Sequence, residues 1–169
     1  MIFSKAHSRQ HKITKISSFA EVWECNQSGQ KSLHARVRFQ EGDYISSLGA
    51  KETLTAPNYL TVQLNEQEHI LLDPDFLQYI NHSCQPNVIF DTTNKVVTCL
   101  RKIEAGEEMV FFYPSTEWSM AQKFECHCGT EKCLGLIKGA AYISPDILKK
   151  YHLSDYVQCQ VISNALAQK

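Results

Sequence analysis

Three cysteines fall within eight positions late in the chain, Cys126-x-Cys128-x4-Cys133, with Gly129 available for a tight turn. Thiols this dense in a polar loop are metal ligands in type, and a tetrahedral zinc site built only of thiolates needs four. Cys84, far upstream in the run Asn81-His82-Ser83-Cys84-Gln85-Pro86-Asn87, is the candidate for the fourth. His127 stands between two of the ligands. Neighbours on an extended segment point in opposite directions, so it is expected to face solvent. Four thiolates leave no open position for water, and the metal is expected to hold structure instead of reacting. Such a metal would clip the late loop onto the middle of the chain, beside Asn81 and His82.

Composition narrows what that arrangement can serve. At 169 residues the chain is one domain with a core of useful size. A formal net charge of −1 argues against a partner held by phosphate neutralisation, so direct nucleic-acid binding is not expected. No stretch is long and apolar enough to span a membrane, and Met1 to Arg9 lack the apolar run of a secretory signal. The seven cysteines cluster as metal sites do and are not spread as a disulfide framework, which implies a reduced, intracellular setting. Cys25, Cys99 and Cys159 read as small buried apolar residues.

The elements that must position these groups are short. Residues 1–18 are polar and mildly basic and are expected to form a flexible arm. Alternating patterns over Phe19 to Cys25 and Leu33 to Phe39 predict strands, with turn residues between them. Tyr59 to Leu64 and His69 to Leu72 predict a hairpin, as do Val88 to Phe90 and Val96 to Leu100. Met109 to Tyr113 predicts a strand buried on both faces. Ser144-Pro145-Asp146 is a helix start with proline at the first turn, and the tail from Ser163 is expected to fray. Many short strands and no long amphipathic helix give a mostly β class.

Three segments in order, Tyr79 to Asn87, Ala105 to Tyr113 and Cys126 to Gly135, resemble the signatures of SET-domain protein lysine methyltransferases with a post-SET zinc loop. The resemblance implies a β-clip, SET-like domain over 19–114, a zinc-clipped post-SET loop over 115–138 and a short helical segment over 139–169. It also implies a pseudoknot, in which the Asn-His segment passes beside the apolar strand. By the same resemblance Tyr113 is the catalytic tyrosine, and Asn81 and His82 hold S-adenosylmethionine, His82 mainly through its backbone. Leu136, just past the cysteines, and Leu33, in the stretch Gln30 to Ala35, are the further cofactor contacts. Phe111 shapes the lysine end of the channel and Tyr59 is a second candidate wall. Cys84, Cys126, Cys128 and Cys133 bind structural zinc. The implied partner is a protein or peptide presenting a lysine.

The chemistry matches such roles. Only a neutral amine can attack a sulfonium methyl group, and with a lysine pKa of about 10.4 less than about one amine in a thousand is neutral near pH 7. A dry channel that disfavours the ammonium, and alignment of the reacting atoms, are what an enzyme must add. The chain departs from the family pattern at several places. Gln30 to Ala35 lacks the usual Gly-x-Gly, Ser47 stands for a tyrosine, Gln78 for an arginine, and Phe112 for the acid beside the catalytic tyrosine. These departures motivate the alternative of a weakly active or inactive SET-fold member that binds a peptide or partner.

Overall fold

The turns between alternating stretches divide the chain into small sheets instead of one large one. A computed structural model describes residues 10–167. The first sheet is antiparallel, in the order β1 (His11–Lys15), β2 (Ala20–Cys25), β3 (Lys31–Ala35). Gly29 makes the β2–β3 turn at φ +70°, a region that favours glycine. A second sheet has β4 (Tyr44–Ser47) beside β10 (Val96–Cys99) and β9 (Val88–Asp91), and a third has β5 (Gly49–Leu54) beside β7 (His69–Asp73) and β6 (Thr61–Gln63). Both hairpins expected from the sequence form, β6–β7 and β9–β10. Two short pairs complete the set: β8 (Asn81–His82) with β11 (Val110–Phe111), and β12 (Phe124–Glu125) with β13 (Leu136–Ile137).

Inward-facing residues of these sheets, Leu33 and Val97 among them, meet residues of the connecting segments, Leu77, Ile80, Ile103 and Met109, in one core, each essentially without exposure. Burying side chains of this size contributes about 1.5–3 kcal/mol apiece. A second, smaller cluster joins Phe112, Ala140, Leu148 and Val157, and so fixes α1 (Pro145–Leu148) and α2 (Asp155–Ala167) against Phe112, just past β11. Among the described residues no helix is long and apolar enough to cross a membrane.

Five expectations need correction. The arm expected over 1–18 is overturned from residue 11, because His11–Lys15 pairs along its length with β2, Ile13 opposite Trp23, while residues 1–9 of that expectation lie outside the described residues. This is an edge strand whose outer face is polar, and its composition hides it. The buried strand from Met109 shortens to Val110–Phe111, since Pro114 turns Tyr113–Ser115 into a 3-10 turn. The helix expected at Ser144 is a single turn, and the longer α2 runs to Ala167 where fraying was expected. Cys159 on that helix is exposed, whereas Cys99 is buried as expected.

Candidate active site

Everything at the centre hangs on the parallel pairing of β8 with β11, Asn81 beside Val110 and His82 beside Phe111. Asn87, fully buried, locks it: its Oδ1 accepts from the Val110 amide at 2.8 Å and its Nδ2 donates to the Glu108 carbonyl at 2.7 Å. A buried amide with both ends satisfied fixes register as well as adding stability. The Asn81 side chain is held from the other direction. Its Nδ2 donates to the Lys31 carbonyl at 3.1 Å and to Glu108 Oε1 at 2.9 Å, and among the described residues Oδ1 is an open acceptor.

His82 is more than a backbone contact. Its ring stands among Phe112, Tyr113 and Phe124, with centroids 5.3–5.7 Å away. Burial pulls its pKa down to about 4, so the ring is neutral. Nδ1 takes a hydrogen bond from the Tyr113 amide at 3.2 Å, and an N–H can only donate. The ring proton therefore resides on Nε2, which faces Cys84 Sγ at 3.4 Å. One imidazole thus ties the tyrosine backbone to the Cys84 thiol. The Tyr113 hydroxyl donates to the Ile80 carbonyl at 3.2 Å. Burial first, and the Glu108 charge second, push its pKa above the ordinary tyrosine range, so the phenol keeps its proton.

The four cysteines named from the sequence come together. Their Sγ atoms all lie within 4.8 Å of one another, Cys84 and Cys126 at 3.9 Å. Thiolates about 2.3 Å from a tetrahedral zinc stand about 3.8 Å apart, so the set fits that ion. Burial pushes the Cys84 thiol up to about 11. At Cys128 burial acts the same way but is outweighed by hydrogen bonds, chiefly from Thr130, and the pKa falls to about 6. Close thiols of this kind ionise together only beside a cation. The Leu134 amide donates to Cys84 Sγ at 3.3 Å, and the Tyr151 hydroxyl donates to the Cys84 carbonyl at 2.9 Å. His127 is exposed, as expected. Phe112 is 2% exposed and stacks on Tyr151 at 3.7 Å. An acid at that position would be buried under the C-terminal segment, which accounts for the departure.

Two cavities of different character meet at Tyr113. One is an open cleft of about 1210 Å³ whose lining includes Lys31, Asn81, His82, Arg101, Glu107 and Glu108. The other is a mostly apolar pocket of about 260 Å³ lined by Val62, Leu72, Leu77, Phe111 and Glu117 among others. Tyr59, Leu60, Gln78, Tyr113 and Phe124 belong to both. Phe111, stacked on Phe90 at 4.0 Å, forms part of the pocket wall. Tyr59 is 76% exposed, so it is a rim residue and not a core aromatic. Two expected cofactor contacts do not reach the cleft. Leu33 has no exposure and its side chain belongs to the core, while Leu136 is 41% exposed on β13 and lines neither cavity. Sequence reasoning missed Glu117, which is 7% exposed, and the bracing role of the His82 ring. A carboxylate three residues past Pro114 carries no motif that would have singled it out.

Comparison with known proteins places this geometry. A family model described as the SET domain matches residues 3–114. Methyltransferase flvH of Aspergillus flavus is 37% identical over 129 residues, 75% of this chain and 72% of that protein. The H3 lysine-36 specific histone-lysine N-methyltransferase of Gibberella zeae is 31% identical over 90 residues, and histone-lysine N-methyltransferase 2D of Homo sapiens 39% over 62. The chain spans only 10% and 1% of those two proteins. Among solved structures, KRYPTONITE in complex with mCHH DNA, an H3(1-15) peptide and SAH superposes with a TM-score of 0.54 at 18% identity, over 72% of this chain and 30% of that one. That likeness speaks for the fold. The family match includes the segments that carry Asn81, His82 and Tyr113, and the fungal relative is matched over most of its length, so the chain belongs to the SET-domain family.

Proposed function

We propose that the chain transfers a methyl group from S-adenosylmethionine to the ε-amine of a lysine presented by a protein or peptide. The observation that carries this reading is the meeting of a large polar cleft and a small apolar pocket at Tyr113. A transfer between two ligands bound on different sides needs such a junction, because each ligand must be excluded from the other's site. The cleft has charges of both signs, Lys31 and Arg101 against Glu107 and Glu108, and an open acceptor at Asn81 Oδ1. That lining suits a nucleoside carrying both an ammonium and a carboxylate. When bound there, the cofactor would supply an electrophilic methyl group.

The chain's own residues supply the remainder. Asn81 offers its free oxygen to the cofactor, and Gln30 and Lys31 border it where the family glycines are missing. Tyr113 keeps its phenol neutral at the junction and so orients an amine without introducing charge. Phe111, backed by Phe90, bounds the amine end, and Tyr59 forms the rim over the incoming side chain. We take 115–138 as the clip that closes the site and 139–169 as the segment that braces it. The cysteine set is a structural zinc site with no reacting position. An intracellular setting is part of this reading, since free thiols must persist.

Isothermal titration with S-adenosylmethionine, followed by labelling of a lysate with tritiated cofactor, tests the proposal. Saturable binding and labelled lysine are expected. Absence of binding at millimolar cofactor would overturn the enzyme reading in favour of a partner-binding module.

A further inference from the structure

The apolar pocket contains one group that the methyl-transfer reading leaves without a task. Glu117 lies in the first turn after the catalytic strand, with its amide donating to the Tyr113 carbonyl at 3.1 Å. One carboxylate oxygen, Oε1, is occupied: it accepts from the Gln63 amide at 2.8 Å and from the Thr116 hydroxyl at 3.2 Å. Oε2 accepts nothing from the described residues, yet the side chain lines the pocket and is 7% exposed. The remaining titratable groups on that lining are the hydroxyls of Tyr59 and Tyr113, and no lysine, arginine or histidine is among them. From the side of α2, Tyr156 reaches Gln63, and no cation among the described residues shifts the Glu117 carboxyl. The Gln63 amide, with the Thr116 hydroxyl that is shared with the Tyr113 carbonyl, holds the carboxylate in place, and among the described residues its countercharge is missing.

A buried carboxylate without a cation is costly unless something supplies one. A pocket otherwise made of Val62, Leu72, Leu77, Ile80 and Phe111 suits an aliphatic chain. An alkyl chain ending in a positive nitrogen fits both features. We propose that Glu117 is the amine receptor of this pocket: its free Oε2 takes the alkylammonium of the incoming substrate and then its proton, leaving a neutral amine beside Tyr113. The inference rests on the methyltransferase reading and deepens it. In the proton step an N–H bond of the ammonium breaks and an O–H bond forms at Oε2. Nitrogen keeps the electron pair it needs as a nucleophile. The charge that left with the proton returns to nitrogen with the methyl group, and Glu117 releases its proton to water at the pocket mouth. Burial raises the Glu117 pKa to about 7, against the pull of Gln63 and Thr116, so the acid is matched to this task near neutral pH.

The test uses the full-length, zinc-loaded protein and two probes of equal size, n-butylammonium and 1-butanol. Each is titrated at pH 7.5 while the Gln63 amide, which reports directly on Glu117, is followed by NMR. The ammonium is expected to bind at least tenfold more tightly than the alcohol and to move that resonance. Glu117→Gln keeps an acceptor for Gln63 and Thr116 and should bring the two probes to equal affinity. In turnover, kcat/KM of the variant should fall at least tenfold at neutral pH, with KM rising. Equal affinity of both probes for the unmodified protein would overturn the proposal, even if the variant failed to fold. So would a variant that keeps the ammonium preference. A chain that binds butylammonium in this way but neither binds nor uses S-adenosylmethionine would overturn the methyltransferase reading instead.

Discussion

The cysteine corner and the pocket proposed for the amine lie at opposite ends of the segment from Ile80 to Cys84, and both place acidic groups out of water. They resolve it in opposite ways. The corner gathers four thiols within 4.8 Å, closes around them, and suits a cation bound permanently. The pocket holds a single carboxylate with one oxygen tied down and the other open, and suits a cation that comes and goes. A closed site of four ligands can only hold structure, whereas an open site with one unspent acceptor can select a ligand. His82 stands between them, touching Cys84 with one nitrogen and the Tyr113 amide with the other. A cation held at the corner would therefore set, through His82, the position of the tyrosine at which the proposed transient one is used.

The strongest way to break this contrast is to remove the hydroxyl at the junction. Tyr113→Phe deletes the group that donates to Ile80, and methyl transfer should fall at least about 100-fold. Zinc content, melting temperature and cofactor affinity should stay near those of the parent, because the ring and its contacts with Phe111 and His82 remain. Radiolabel transfer measured beside cofactor titration checks this, and undiminished turnover would move the chemistry away from Tyr113.

Next in size is the corner itself. Cys133→Ser leaves three thiolates, and binding energy at a structural zinc is folding energy. A loss on the order of several kcal/mol in stability is expected, with sub-stoichiometric zinc by elemental analysis and a lower melting temperature. Because the corner carries Cys84 and through it His82, turnover should fall as well. A full zinc complement with an unchanged melt would show that the four cysteines do not act as one set.

The two regions also differ in how far they could be read from the chain. Cys126, Cys128 and Cys133 are neighbours in sequence, so ligand chemistry is visible as spacing, and only Cys84 had to be placed from a distance. The pocket is assembled from single residues of the 58–62 stretch, β7, the 75–80 turn, β11 and the 117–124 loop, none of which is a motif alone. Leu33 is named as a cofactor contact from its place in the first signature, and in an apolar alternation such a position and a core position look alike; its lack of exposure puts its side chain in the core. Glu117 was passed over because carboxylates are mostly solvent-exposed, and nothing local reveals that Gln63 and Thr116 enclose this one. Strand β1 was lost to composition, since an edge strand with a wet face needs few apolar residues.

Glu117 yields a further contrast in how stability depends on pH. Its folded pKa is raised to about 7 from an ordinary carboxyl value near 4.5. Between those values the folded chain binds the proton more tightly than the unfolded one, so stability falls as pH rises from about 4.5 to about 7 and stays lowered above. The shift corresponds to at most about 3 kcal/mol. Glu117→Gln removes this dependence. It should melt higher than the parent at pH 8 and equally at pH 4, as followed by calorimetry. Parallel melting curves across that range would mean that the carboxylate is not paying a burial cost.

The smallest expected effect tests the rim that both cavities share. Tyr59 is 76% exposed, so replacing it by Ala removes little packing, and stability should change by no more than about 0.5 kcal/mol. Its ring nevertheless borders the cleft and the pocket alike, where an incoming chain would cover it. An aromatic contact made on binding contributes about 1 kcal/mol, which is about fivefold in affinity. Tyr59→Ala should therefore raise KM for a lysine peptide about fivefold, with kcat nearly unchanged, because the ring touches the substrate before and during transfer alike. A matching fall in kcat would place Tyr59 with Tyr113 in orienting the amine. A KM left untouched would instead place the route of entry on the side of Met120 to Gln122, the remaining rim of the pocket.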